Sequence, residues 1–273
     1  MLLVSSFFGR TRPVGDDDSD LESGDEADSD FDESNADFTP ADDDVHAVRD
    51  DLLHFLPLEL VDIILDTAGY WPCLSARSTR HTIVAADDLT SNNAADYYLV
   101  TPAIPEEQCT HVKMVKFTLE SCDQGWGGDP NNYDTYNASY TWFEAGIVRD
   151  SGEGVDVYLA GLPERSIDTF NDHAFNRTIG REVENSLQQE RRWHLQYNIQ
   201  VSRIRRRHAI IWTRDDIIDD AAETDARRRG AGTGRNFVST LSPGDRVALV
   251  VRAQYPGWQN HVFGAKIKIY YSV

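Results

Sequence analysis

Cysteine is scarce in this chain of 273 residues: Cys73, Cys109 and Cys122 are the only three, and no CxxC pair is among them. An odd number without paired spacing excludes a disulfide framework and favours a reducing compartment. Long apolar runs are missing too, since no stretch approaches the roughly 20 apolar residues of a membrane-spanning helix. The opening MLLVSSFFGRTRP lacks a basic start and its apolar run ends at Arg10, so it is not expected to act as a signal peptide. These absences place the protein in the cytoplasm or nucleus, away from membranes. Basic residues are few at the N-terminus. Residues 1–50 hold 16 acids and 3 bases, whereas 51–273 hold 30 and 23, out of a net charge of −20. No broad basic face for nucleic acid is expected.

Catalytic and metal motifs are also lacking. The eight histidines show neither HxxxH nor HExxH spacing, which argues against zinc. There is no GxSxG elbow for a nucleophilic serine. The run GAGTG at 230–234 has no strand before it, no helix after it and no GKS or GKT ending, so it reads as a flexible loop and not as a phosphate cradle. DPNNYD at 129–134 lacks the EF-hand spacing and reads as a plain loop. No enzyme activity, cofactor or metal is therefore expected.

What is present falls into three parts. Residues 16–44 carry fifteen acids and no Lys or Arg, with Leu21, Phe31 and Phe38 as the only large apolar residues. Self-repulsion and lack of buriable surface predict a disordered acidic tail over 1–49. A short apolar segment follows in DDLLHFLPLELVDIILDTAGYWP, residues 50–72. Pro57 suits a helix start, Glu59 favours the positive end of the helix dipole, and Gly69 can end the helix. The spacing of Leu56, Leu60, Ile63 and Ile64 predicts a helix over 57–68 with one wide apolar face. A helix of this length is marginal alone, so that face packs either on its own domain or on a partner. From about residue 97 the period becomes two. Strands are read at YYLVTPAIP, VKMVKFTLESC, SYTWFEAGIV, WHLQYNIQV, RHAIIWTR, RVALVVRAQ and VFGAKIKIYYSV. In WHLQYNIQV the alternation sets Trp193, Leu195, Tyr197, Ile199 and Val201 against His194, Gln196, Asn198 and Gln200. In VFGAKIKIYYSV it turns Phe263 inward with Ala265, Ile267, Ile269 and Tyr271. Clean alternation without intervening helices implies antiparallel sheets in a sandwich or barrel. Residues 215–235 read as a long loop.

FLPLELVDIILD resembles the start of an F-box, through Leu56, Pro57, Leu60, Ile63 and Ile64. That resemblance implies an F-box-like segment over 50–80 that docks the adaptor subunit of a cullin-type ubiquitin ligase. The segments DQGWGG, TYNASYTWFEAG and GWQNHVFGAKIKIYY resemble a fungal protein family that couples such a segment to a β domain. The last of them is also similar to the F-box-associated domain of sugar-binding ubiquitin-ligase receptors. This implies a jelly-roll β-sandwich of galactose-binding-like type over 97–273. VFGAKI aligns without a gap, which sets Trp258, Gln259 and Asn260 at the sugar-contacting positions of that domain. Only Trp258 keeps the family's residue type.

Two polar, Gly-flanked loops with a tryptophan suit a sugar on chemical grounds. An aromatic face takes the pyranose C–H face, and amides or carboxylates take the hydroxyls. One loop is Asp123, Gln124 and Trp126; the other is Trp258, Gln259, Asn260 and His261. Both are expected to be exposed. Trp142, Trp193 and Trp212 lie within strands and are read as core. The sequence thus describes a mainly β protein with a non-enzymatic adaptor role. The alternative is a cytosolic lectin-like module whose N-terminal helix packs on the sandwich.

Overall fold

A computed structural model describes residues 38–87, 92–149, 181–185, 192–215 and 218–273. Residues 1–37 of the acidic tail lie outside the described residues. The chain from Thr39 onward is one compact unit.

Helix α1 spans Asp42–Leu53 and α2 spans Leu58–Ala68. Helix α1 corrects the expectation of a structureless tail up to 49. Asp42, Asp43 and Asp44 fill its first turn, where the dipole favours anions, and the Asp44 carboxylate accepts from Ala41 N–H at 3.0 Å. Pro57 is the N-cap of α2, one place before the first helical residue, and Gly69 closes the helix with φ 59°. Val61 and Leu65 of α2 pack against Val45 of α1, with Leu52, Leu56, Tyr70 and Val273 around them.

The rest is a β-sandwich, as the two-residue period implies. The first sheet contains β1 (Cys73–Ser78), β2 (Thr82–Ala85), β4 (His111–Asp123), β8 (Arg206–Thr213) and β10 (Gln259–Ser272). Its order is β1-β10-β4-β8, and β2 also pairs with β10. The second contains β3 (Asn93–Val100), β5 (Thr141–Arg149), β6 (Arg181–Glu182), β7 (Arg192–Tyr197) and β9 (Arg246–Gln254). It runs β3-β9-β5, with β6 and β7 both on β5. All these pairings are antiparallel. Strands β1 and β2 fall where a helical segment to residue 80 and a linker were expected, so the sandwich begins at Cys73.

The core lies between the sheets. Phe237 of a one-turn helix, α4 (Phe237–Thr240), sits at the centre of an aromatic cluster with Phe117, Trp193 and Trp212, at ring separations of 4.9 to 6.2 Å. Trp193 and Trp212 are buried, as expected. The stretch read as a loop holds helix α3, Asp220–Arg228, capped by the Asp219 carboxylate accepting from Ala222 N–H at 2.8 Å. The GAGTG run is closely packed. A Cβ at Gly232 would strike the His194 carbonyl, and one at Gly234 would strike the Trp212 ring. A bulge between Val262 and Gly264 turns Phe263 outward, where it stacks on His81 at 4.6 Å.

Candidate functional site

Helix α2 has two apolar sides. Val61 and Leu65 hold it to α1, and Leu56 joins them from the preceding loop. The other side is uncovered: Leu60 is 47 % exposed, Ile63 59 % and Ile64 42 %. Leu53, Phe55, Pro57 and Leu58 nearby are exposed as well, Phe55 at 85 %. Of the five residues expected to dock, four are therefore at the surface and Leu56 packs inward. Polar bonds fix the helix pair to the sandwich. Lys113 Nζ meets Asp66 at 2.9 Å, and the Tyr271 hydroxyl donates to Asp42 at 2.8 Å.

The two tryptophan loops do come together, but not as an exposed tip. Asn260 is a residue of β10 opposite Asp123 of β4, and both are fully buried. Asn260 Nδ2 donates to the carbonyls of Trp142 and Arg252 at 3.0 and 3.1 Å, and its Oδ1 accepts from Asn198 Nδ2 at 2.9 Å. Asp123 accepts from the N–H groups of Gly125 and Val201 at 2.9 and 3.3 Å. Burial pushes its carboxyl up to about 6 against the pull of those N–H groups. Gln124 is buried; its Oε1 accepts from Gln259 N–H at 3.1 Å and its Nε2 donates to the Trp126 carbonyl at 2.8 Å. Trp258 is buried edge-on to Tyr140 at 5.0 Å. Gln259 and His261 are half-buried, with His261 Nε2 and Gln259 Oε1 3.3 Å apart. Only Trp126 of the seven, 50 % exposed, presents a ring to solvent. The physical reason is the versatility of amides, which satisfy the main-chain groups that a strand end leaves open.

A cleft of about 820 Å³ lies elsewhere, on the outer face of the second sheet. Trp142 and Tyr197 are register partners there, with rings 6.3 Å apart, and the His194 ring lies 4.1 Å from that of Tyr197, tilted by 37°. Trp142 was read as core; its ring is half-buried and lines this cleft. Its indole N–H donates to Glu144 at 2.8 Å, and the Arg252 guanidinium lies over the ring at 5.3 Å while also reaching Glu144 at 2.9 Å. Burial lowers the His194 pKa, against the pull of the Gly230 carbonyl and the Glu144 carboxylate. Tyr136, Tyr140 and Asn137 close one side, and Glu223 and Arg227 of α3 the other. No local motif marks this site, because its residues come from five segments.

Other charged groups are engaged locally. Arg203 Nε is spent on the Gln124 carbonyl at 2.9 Å, Arg205 pairs with Glu120, and Arg228 and Arg229 both pair with Asp225. Asp129 of DPNNYD accepts from Asn131 N–H at 3.0 Å as a turn cap. Among the described residues no three His, Cys, Asp or Glu side chains are grouped to hold a metal ion. The three cysteines are free, and burial raises the thiols of Cys109 and Cys122 to about 11. Among the described residues no helix is long and apolar enough to cross a membrane. The chain is thus a β-sandwich of two antiparallel sheets carrying an N-terminal helix pair. Neither a family model nor a curated protein matches it.

Proposed function

We propose that this chain is a non-enzymatic adaptor. Its helix pair docks the adaptor subunit of a cullin-type ubiquitin ligase in the cytoplasm or nucleus, and its sandwich, read as a jelly roll, presents the recognition surface. One observation carries this reading: Leu60, Ile63 and Ile64 stay exposed on α2 although its opposite side is packed on α1. Packing on its own sandwich would have covered them. Scattered exposed apolar residues are ordinary, but a contiguous set on one short helix pair marks an interaction site. Covering each such side chain is worth about 1.5–3 kcal/mol, which gives a partner ample driving force. The test is co-purification with the purified ligase adaptor subunit. Wild type should retain the subunit and Ile63→Asp should lose it, with the melting temperature unchanged. Failure of wild type to retain it at micromolar concentrations would overturn this reading.

A second reading, a lectin-like module, is favoured by the cleft on the outer face of the second sheet. Trp142, Tyr197 and Tyr136 offer aromatic faces there, and Asn137 and Gln254 offer amides. A glycan array compared with Trp142→Ala distinguishes it. Loss of glycan signal in that variant, with the fold intact, would support saccharide binding at this face.

A further inference from the structure

Among the described residues, strand β8 ends the first sheet and pairs only with β4. Its phase is set by Arg214 N–H, which donates to the Lys113 carbonyl at 2.9 Å. In an antiparallel ladder the hydrogen-bonded pairs recur at every second residue, so Ile210 and Trp212 bond to β4 through their main chains. Ala209 and Ile211 then turn their N–H and C=O groups to the open edge. Neither residue has another hydrogen-bonding partner among the described residues. Their side chains are exposed on the outer sheet face.

That edge is not left to bulk solvent. A groove of about 470 Å³ runs along it, with Ile218 and the α3 residues Ala222 and Ala226 on the facing wall. His208 also lines the groove, and its Nε2 is buried without a hydrogen-bond partner among the described residues. Edge strands are commonly blunted by charge, proline or a bulge. Here Arg205, Arg206 and Arg207 guard only the start of β8, and the stretch from Ala209 to Ile211 carries none of these devices.

We propose that the β8 edge and α3 form a peptide-docking groove that takes an extended, acidic-ended segment of a partner polypeptide by strand addition. The unpaired main-chain groups of Ala209 and Ile211 would supply the ladder, as in other strand-addition sites. Small apolar side chains at every second peptide position face Ala222 and Ala226. A carboxylate at one end of the peptide meets the arginine-rich start of β8, where Glu120 and Asp225 are the acids already engaged, by Arg205 and by Arg228 and Arg229. The overall negative charge of the chain disfavours a long polyanion at the same place, whereas a short segment feels mainly the local arginines within a Debye length of about 8 Å. This groove is separate from the exposed face of α2 and stands whether or not that face docks a ligase.

The test uses the full chain and fluorescein-labelled peptides of the pattern Thr-Val-Ala-Val-Thr-Glu-Glu, varied at the three central positions, read by fluorescence anisotropy. The best peptide should saturate at a dissociation constant below about 100 μM. Methylating alternate peptide nitrogens in one phase should abolish binding, while the other phase is tolerated, because only one phase faces β8. Ala209→Pro removes an edge N–H that β4 does not use, and should weaken binding about tenfold with the near-UV circular dichroism unchanged. Ala222→Glu, on the exposed helix wall, should do the same through repulsion without touching the strand. No saturation up to about 1 mM, equal effects of both methylation phases, or unchanged affinity in both variants would overturn the proposal.

Discussion

Burial acts in opposite directions on two side chains of the sandwich. It raises the Asp123 carboxyl from 3.8 to about 6, and it lowers His208 from 6.5 to about 4, with the Arg206 charge assisting. A raised carboxyl contributes stability that is full below 3.8 and is lost as pH rises through 6. A lowered imidazole contributes stability that is full above 6.5 and is lost as pH falls through 4. Between pH 4 and 6 the two therefore oppose each other, at up to about 3 kcal/mol for buried Asp123 and somewhat less for part-exposed His208. Asp123→Asn should leave His208 unopposed, so the variant should lose about 2 kcal/mol more than wild type between pH 6.5 and 4. Urea unfolding at both pH values checks this; parallel losses would refute it. Asn260 gives a second prediction. Its amide closes three buried hydrogen bonds, so Asn260→Ala should cost about 2–4 kcal/mol, while Trp126→Ala at the surface should cost under about 0.5 kcal/mol. Thermal melts of the two variants separate these outcomes. The sequence singles out Asp123, Gln124, Trp258, Gln259 and Asn260 as two separate loops; that they meet, and that most of them are buried where they meet, was not legible. An amide that serves a ligand and one that serves its own main chain are the same residue type in the same kind of loop.

Periodicity made some elements legible and hid others. Helix α2 and strands β4, β9 and β10 show long apolar periods, and the sequence places each within a few residues. Helix α1 was missed because its acids extend an acidic run, although Val45, Val48 and Leu52 recur at helical spacing behind them. Helix α3 was missed because Ala221, Ala222 and Ala226 are its only apolar residues; its signal lies in the Asp219 cap and in Arg227 and Arg228 of the last turn. Strand β7 ends at Tyr197, and the alternation read onward to Val201 is coincidental. Val201 takes φ 56°, and Gln196, Asn198 and Gln200 all turn inward and are buried. The two sides of α2 make opposite predictions for stability. Leu65→Ala removes a buried contact with α1 and should cost about 2–5 kcal/mol. Ile63→Asp changes an exposed residue and should stay within about 0.5 kcal/mol while abolishing ligase-adaptor capture. Equal melting temperatures for the two variants would mean that α2 does not use the Val61–Leu65 side to hold its place.

At the scale of the molecule, strand alternation implies antiparallel sheets in a sandwich or barrel, but not their order. The partners of β10 are β1, β2 and β4, all far away in sequence, and no local pattern names them. The join between helix pair and sandwich was equally invisible, because it is made by single contacts. Val273, the last residue, packs into the helical cluster; Lys113 reaches Asp66, and Tyr271 reaches Asp42. Two of these residues belong to sandwich strands β4 and β10, so the helix pair is seated on one end of the first sheet. Helix α1 is the clamp: it supplies Val45 and Leu52 to the cluster and Asp42 to the hydroxyl of Tyr271. A chain beginning at Thr39 keeps this clamp, and a chain beginning at His54 loses it. Without α1, Val61 and Leu65 join Leu60, Ile63 and Ile64 in water, and α2 is too short to hold helical form alone. The loss of Val45 and part of Leu52 should cost about 3 kcal/mol, or about 6–12 °C for a domain of this size. Differential scanning calorimetry of the two truncated chains measures that difference. If both melt together, α1 is dispensable to the fold, and the exposed face of α2 must be held by the sandwich contacts of Asp66 and Val273 alone.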